Sequence, residues 1–113
     1  MNIKQEPKPV YRKVSHKEAQ EIMATQAQSI TIDVRSQEEY NQGHIPGAQL
    51  LPLDEIAKKA ESVLGDKGQT ILVYCRSGAR SEAAAKQLVG MGYSKVYDFG
   101  GVADWPGGLH THG

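Results

Sequence analysis

The feature that most constrains the fold is an uninterrupted apolar run, TILVY, at residues 70–74. A strand with one face in solvent alternates apolar and polar residues, whereas a strand covered on both faces is apolar throughout. The run therefore predicts a central strand of a parallel sheet that has helices on both of its faces. The length of 113 residues fits one domain of this kind.

Strand and helix patterns alternate along the chain. Further strands are predicted at 11–14, 29–34, 48–51 and 95–99, and helices after Ser15, after Ser36, over 54–64 and from about Ala79 to Met91. Ser15 and Ser36 each begin an S-x-x-E capping box. Such alternation favours right-handed β-α-β units, and so a three-layer α/β domain. We expect this domain at 11–107, between a flexible leader at 1–10 and a flexible tail at 108–113.

Composition excludes several classes of partner. Thirteen basic residues balance thirteen acidic residues, so the chain has no overall field to attract nucleic acid or an anionic membrane. One cysteine allows neither an intramolecular disulfide nor a C-x-x-C motif, which favours a reducing compartment. The first residues contain no apolar segment typical of a secretory signal. We expect a cytoplasmic protein, with a mature periplasmic form whose signal was removed as the alternative.

The single cysteine, Cys75, follows the central strand where the chain enters a helix. Backbone N–H groups of a tight loop and of a helix N-terminus form an anion-binding nest there, and the same field stabilises a thiolate. Gly78 allows the tight curl, while Arg76 and Arg80 add positive charge. The alternative is a cysteine that is merely buried. Two arginines and a glycine do not suit an apolar burial site, so a nucleophile is favoured.

The loop also resembles the C-x5-R phosphate loop of cysteine phosphatases. Four residues separate Cys75 from Arg80, however, and Ser81 occupies the position of the phosphatase arginine. Tyr74 stands where tyrosine phosphatases usually have histidine. The shorter loop makes a smaller cradle, so a phosphatase or an arsenate reductase is the disfavoured interpretation.

Three further segments bear on the identity of the loop. They are IDVRS (32–36), EEYNQGHIPGAQLLPL (38–53) and GGVADW (100–105), in this order around the cysteine loop. In this set of motifs the chain resembles the rhodanese (sulfurtransferase) family over roughly residues 11–107. The resemblance implies a single rhodanese domain with a central five-stranded parallel sheet.

The resemblance also implies the chemistry. Cys75 would take a sulfane sulfur from a donor such as thiosulfate, hold it as a persulfide, and pass it to cyanide, a thiol or a protein cysteine. No metal or organic cofactor is required, and neither nucleic acid nor a membrane is an expected partner. A sulfur carrier or sensing module that exchanges sulfur with other proteins is the second hypothesis, because it needs the same persulfide.

The family's substrate-binding positions map onto the loop after the cysteine. Arg76, Ser77, Gly78, Ala79 and Arg80 would hold the persulfide or the anionic end of the donor. Thiosulfate-using members often have Arg-Lys after the cysteine and mercaptopyruvate-using members Gly-Ser, whereas this loop has Arg-Ser. The identity of the donor therefore stays open.

Five residues outside the cysteine loop are also expected at the site. One, Arg35, is expected to bind substrate, and the other four are expected to be structural. Arg35 is carried over from the family as a substrate-binding residue, with a structural ion pair to Glu38, Glu39 or Asp33 as the alternative. Asp33 is interpreted as an acceptor that organises its loop, because buried polar groups are normally paired. The expected structural residues near the site are Asp33, His44, which hydrogen-bonds within its own loop, Gly47, which forms a turn with Pro46, and Trp105, which packs at the pocket rim. His110 and His112 are not expected to bind metal.

Overall fold

The computed structural model describes residues 10–103, 105 and 108–109. Five strands form one sheet in the order β1-β5-β4-β2-β3, and every pair of neighbours is parallel. The strands are β1 (Arg12–Lys13), β2 (Ile30–Asp33), β3 (Gln49–Leu50), β4 (Thr70–Cys75) and β5 (Lys95–Gly101). The predicted five-stranded parallel sheet is confirmed, and the TILVY run lies in its central strand.

Four helices connect the strands: α1 (His16–Thr25), α2 (Gln37–Gln42), α3 (Ile56–Val63) and α4 (Ala79–Gly90). Both predicted capping boxes are present. The hydroxyl of Ser15 accepts from the backbone of Glu18, and the hydroxyl of Ser36 accepts from the backbone of Glu39. The third helix is shorter than expected, since Leu53–Glu55 form a 3-10 turn before it.

The central strand divides the core into two layers. Ile71, Val73 and Cys75 belong to an apolar cluster on one face, with residues of α3 and α4. Leu72 and Tyr74 belong to the cluster on the other face, with Ala19 of α1. All five strand residues have no exposed surface. The absence of polar alternation in the sequence thus has its expected cause, which is cover on both faces.

The bounds of all five strands differ from expectation by one or two residues at one end or both. The first strand is shorter than predicted, at Arg12–Lys13, while the last continues past Phe99 to Gly101. The predicted leader at 1–10 lies almost entirely outside the described residues, as do four of the six predicted tail residues. The domain limits therefore stay predictions. None of the described helices is both long and apolar enough to cross a bilayer.

The last strand is longer than predicted because Gly101 pairs with the end of β4. Cys75 lies opposite Gly101, after a register irregularity between Val73 and Cys75. A side chain at Gly101 would overlap the carbonyl group of Arg76, and its Cβ would lie 2.9 Å from the Cα of Ser77. The backbone of the cysteine loop therefore packs directly on the backbone of β5.

This contact predicts a large difference between two glycine substitutions. Gly101→Ala should lower the free energy of unfolding by about 1–3 kcal/mol, because backbone atoms on both sides must move. Gly90→Ala, at the end of α4, places its Cβ more than 4 Å from other atoms and should be neutral or stabilise by up to about 1 kcal/mol. Urea unfolding of both variants measures the difference. Equal effects would contradict the close packing of the loop on β5.

Candidate active site

The candidate nucleophile lies at the carboxyl edge of the sheet, where β4 ends. The Sγ atom of Cys75 accepts a hydrogen bond from the backbone N–H of Gly78 at 2.9 Å. Gly78 makes this possible with a φ of 110°, in the left-handed region that favours glycine. The loop thus turns an amide back onto the sulfur, as the nest hypothesis requires.

Helix α4 begins immediately after this turn. Gly78 is its N-cap, and the carbonyl of Gly78 accepts hydrogen bonds from the Ser81 hydroxyl and the Glu82 amide. Ala79, the first helical residue, and Ser77 before the cap are both exposed. The positive end of the helix dipole therefore lies next to the cysteine, where it favours an anion such as a thiolate or a persulfide.

A cavity of about 300 Å³ adjoins the loop. Its wall is formed by Arg35, Glu39, Gln42, Gly43, Arg76, Val102, Ala103, Trp105, Gly108 and Leu109. Arg76 is exposed, whereas Cys75 is fully covered and does not contribute to the wall. A ligand in this cavity would therefore contact Arg76, whereas the Cys75 side chain has no exposed surface.

The second loop arginine, Arg80, forms an ion pair with Glu39. The sequence indicates Glu39 only as part of a helix cap and as a possible partner of Arg35. Arg80 donates from Nη1 and Nη2 to the two oxygens of Glu39, at 2.7 and 2.9 Å. The Arg80 hydrogen bonds lower the pKa of Glu39 from its ordinary value of 4.5 to about 2. Because the partners are 41 residues apart, no local pattern reveals the pair. The positive charge expected of Arg80 is thus compensated inside the protein.

Arg35 lies in a buried ion pair with Asp33, one of the partners considered from the sequence. Its Nε and Nη2 atoms donate to the Asp33 carboxylate at 2.7–3.1 Å, and Nη2 also donates to the carbonyl of Gly43 at 2.6 Å. Asp33 also accepts from the Arg35 amide and from the Tyr74 hydroxyl at 2.7 Å. Arg35 is 6% exposed. It lines the cavity while its charge is neutralised by Asp33.

Tyr74 extends this network to the next loop. Its hydroxyl donates to Asp33 and accepts from the backbone N–H of Ile45 at 3.1 Å. Burial raises the pKa of the Tyr74 hydroxyl, so that it stays a donor at neutral pH. The tyrosine next to the cysteine thus connects β4 to β2 and to the segment that contains His44.

The remaining expected residues organise the surroundings of the cavity. His44 is buried, donates from Nδ1 to the carbonyl of Tyr40 and stacks on the Tyr40 ring at 3.7 Å. Gly47 has a φ of 86° in its turn. Trp105 is 9% exposed and contributes to the cavity wall.

A histidine that the sequence did not single out also contacts this rim. His16 donates from Nε2 to the carbonyl of Gly101 at 2.7 Å, and its ring meets Trp105 edge-on at 5.2 Å. Within the described ranges, no three His, Cys, Asp or Glu side chains are grouped so that they could hold a metal ion. His110 and His112 lie outside those ranges.

The Glu39–Arg80 pair predicts a specific loss of stability in acid. A carboxylate whose pKa is lowered by folding stabilises the native state above pH 4.5, and this stabilisation is lost as the pH falls toward 2. The contribution should be about 1–2 kcal/mol, because partial exposure screens the pair. In urea unfolding between pH 6 and about 2.5, Glu39→Gln should therefore lose less stability than the parent. Glu38→Gln, which removes the neighbouring exposed carboxylate, is the control. An unchanged pH dependence in Glu39→Gln would contradict the pair.

Comparison with known proteins gives one consistent family. The chain matches the Rhodanese-like domain family over residues 15–107. It is 41% identical to the thiosulfate sulfurtransferase PspE of Escherichia coli K12 over 73 residues, which are 65% of this chain and 70% of that protein. It is 34% identical to the thiosulfate sulfurtransferase GlpE of Coxiella burnetii over 97 residues, 85% of this chain and 88% of that one.

A third relative and two solved structures extend the comparison. The putative sulfur carrier protein YrkF of Bacillus subtilis is 40% identical over 77 residues; these are 67% of this chain but 40% of YrkF. A structure of a rhodanese with anions from E. coli superposes with a TM-score of 0.69 and 36% identity, covering 74% of this chain and 99% of that chain. The Alr3790 protein from Anabaena superposes with a TM-score of 0.78 and 26% identity, covering 87% of this chain and 80% of that chain.

The expected resemblance is therefore confirmed by an independent match over most of the chain and by the architecture of the sheet. The cysteine loop, the Asp33–Arg35 segment and Gly101 of β5 meet at one edge of that sheet. The protein belongs to the rhodanese-like family of sulfurtransferases.

Proposed function

We propose that this protein transfers the sulfane sulfur of thiosulfate to a thiophilic acceptor through a persulfide on Cys75. The observation that carries the proposal is the hydrogen bond from the Gly78 amide to the Cys75 sulfur, at the end of a buried strand and at the start of a helix. The names of PspE and GlpE as thiosulfate sulfurtransferases support the choice of donor. Arg76 supports it also, because an exposed guanidinium on the cavity wall suits an oxyanion.

In the first step the Cys75 thiolate attacks the outer sulfur of thiosulfate. A new sulfur–sulfur bond forms, the original sulfur–sulfur bond breaks, and sulfite leaves with the electron pair. Cys75 then carries a persulfide with one negative charge, so that charge is conserved in the step. The amides of the loop and the N-terminus of α4 stabilise that charge.

In the second step the acceptor attacks the outer sulfur of the persulfide. Cyanide leaves as thiocyanate, or a thiolate leaves as a new persulfide, and Cys75 returns to the thiolate. Neither step as written assigns a general base, because each begins from an anionic nucleophile. This agrees with the hydrogen bond from His44 to the backbone of Tyr40, which gives that residue an organising role.

A protein-to-protein sulfur carrier is the second candidate. It is favoured by the similarity to YrkF, named as a putative sulfur carrier. Both candidates use the same persulfide, in a reducing compartment that keeps the single cysteine as a thiol. Turnover of thiosulfate with cyanide, compared with transfer to a protein cysteine, separates them.

Formation of the persulfide is the first prediction of the proposed function. After incubation with thiosulfate, intact-protein mass spectrometry should show a mass gain of one sulfur atom on the parent protein. Cys75→Ser, with its fold checked by circular dichroism, should show no gain. A parent protein that gains no sulfur would contradict the proposal. Hydrolysis of an aryl phosphate that depends on Cys75 would favour the phosphatase interpretation.

Substitution of the two cavity arginines should affect different properties, KM for Arg76 and stability for Arg35. Arg76→Ala should raise KM for thiosulfate about tenfold, because a charge-assisted contact is lost, with little change in stability. Arg35→Ala should lower the free energy of unfolding by about 3 kcal/mol, because the buried Asp33 carboxylate loses its partner. Steady-state kinetics and urea unfolding measure the two effects. Lys95→Ala, at the amino end of β5, is the control for loss of one positive charge.

We expect the loss of thiosulfate use to be larger for Arg76→Ala than for Arg35→Ala among folded protein molecules. Equal or reversed losses would assign donor binding to Arg35. A similar rise in KM for Lys95→Ala would mean that Arg76 acts only through overall charge.

A further inference from the structure

The wall of the cavity beside the cysteine carries a carboxylate, which is unexpected in a site for anions. Glu39 lines the cavity together with Arg76 and Arg35. Its side chain is 20% exposed, so water screens its charge only in part. A negative charge at this position opposes the binding of every anion that enters, and it opposes a dianion twice as strongly as a monoanion.

The position of this carboxylate is fixed by four hydrogen bonds from two sides. Arg80 holds both of its oxygens, as described above. On the other side, the backbone N–H and the hydroxyl of Ser36 donate to Oε1 at 3.0 and 3.1 Å. The side chain of Glu39 is therefore held in place before any ligand arrives.

The charges around the cavity compensate one another except at one residue. Asp33 neutralises Arg35, and Glu39 neutralises Arg80. Arg76 has no carboxylate within ion-pair distance among the described residues. With Cys75 itself left out of the count, three arginines and two carboxylates thus leave one net positive charge beside the cysteine loop.

We propose that Glu39 determines the charge specificity of this site: it cancels Arg80, keeps the net charge of the cavity at one, and so weakens the binding of dianions relative to monoanions. This role rests on the proposed function for its substrate, since thiosulfate and the sulfite that leaves are both dianions. A site with a second free arginine would hold both more tightly and would release sulfite more slowly. Glu39 is in this sense a specificity residue that touches no reacting atom in the structure.

The test uses binding without turnover. In a Cys75→Ser background, the dissociation constants of inorganic sulfate and of methanesulfonate are measured by NMR titration at constant ionic strength. The two probes share a tetrahedral sulfonyl group and differ in charge. Glu39→Gln should bind sulfate about threefold to tenfold more tightly and methanesulfonate less than about threefold more tightly. Its sulfate affinity should also fall more steeply with added salt.

Two further variants separate charge from structure. Glu38→Gln removes a carboxylate from the adjacent exposed position of the same helix and should leave the ratio of the two affinities close to that of the parent. Glu39→Gln combined with Arg80→Gln removes both charges of the pair and should return the sulfate affinity to the parent value. The proposal is overturned if Glu39→Gln weakens both anions equally, which a structural role predicts, or if the double variant still binds sulfate more tightly than the parent.

Turnover gives an independent readout in the protein that retains Cys75. Glu39→Gln should lower KM for thiosulfate by a factor similar to its gain in sulfate affinity, with no rise in kcat. A protein that forms no persulfide from thiosulfate would refute the proposed function, while the sulfate titrations would still decide the role of Glu39. A persulfide that forms normally in a protein whose sulfate affinity does not respond to Glu39→Gln would refute only the role of Glu39.

Discussion

The site depends on one buried ion pair, between Asp33 and Arg35. Two charges without solvent are stable only when their remaining donors and acceptors are satisfied. Here the hydroxyl of Tyr74 and the carbonyl of Gly43 complete the set. The pair thereby joins the end of β2, the end of β4 and the segment after α2. Removal of any one member leaves a buried polar group without its partner.

This network illustrates which features of the molecule can be predicted from the sequence and which cannot. The central strand, the capping boxes and the glycine in the cysteine loop follow from local periods and local backbone chemistry, and each was found in the structure. The partners of the arginines follow from the way in which distant segments meet. Asp33 lies two residues from Arg35 and is a partner that the sequence indicates. Glu39 lies 41 residues from Arg80, and no local pattern indicates it as the partner of Arg80.

Two further features depended on packing between distant segments. His16 reaches the carbonyl of Gly101 across 85 residues of chain, and no pattern around either residue indicates it. The complete burial of Cys75 likewise depends on the apolar cluster that it joins with residues of α3 and α4. Sequence patterns place Cys75 at the end of the central strand, where the structure has it, but its accessibility depends on packing that motifs do not describe.

The contact between Gly101 and the loop backbone also bears on the size of the anion cradle. Because β5 touches the loop at Arg76 and Ser77, an additional residue has no space on that side. A longer loop of the C-x5-R type would have to expand toward the cavity or change the register in which Cys75 faces Gly101. The length of the cysteine loop is therefore coupled to the last strand of the sheet.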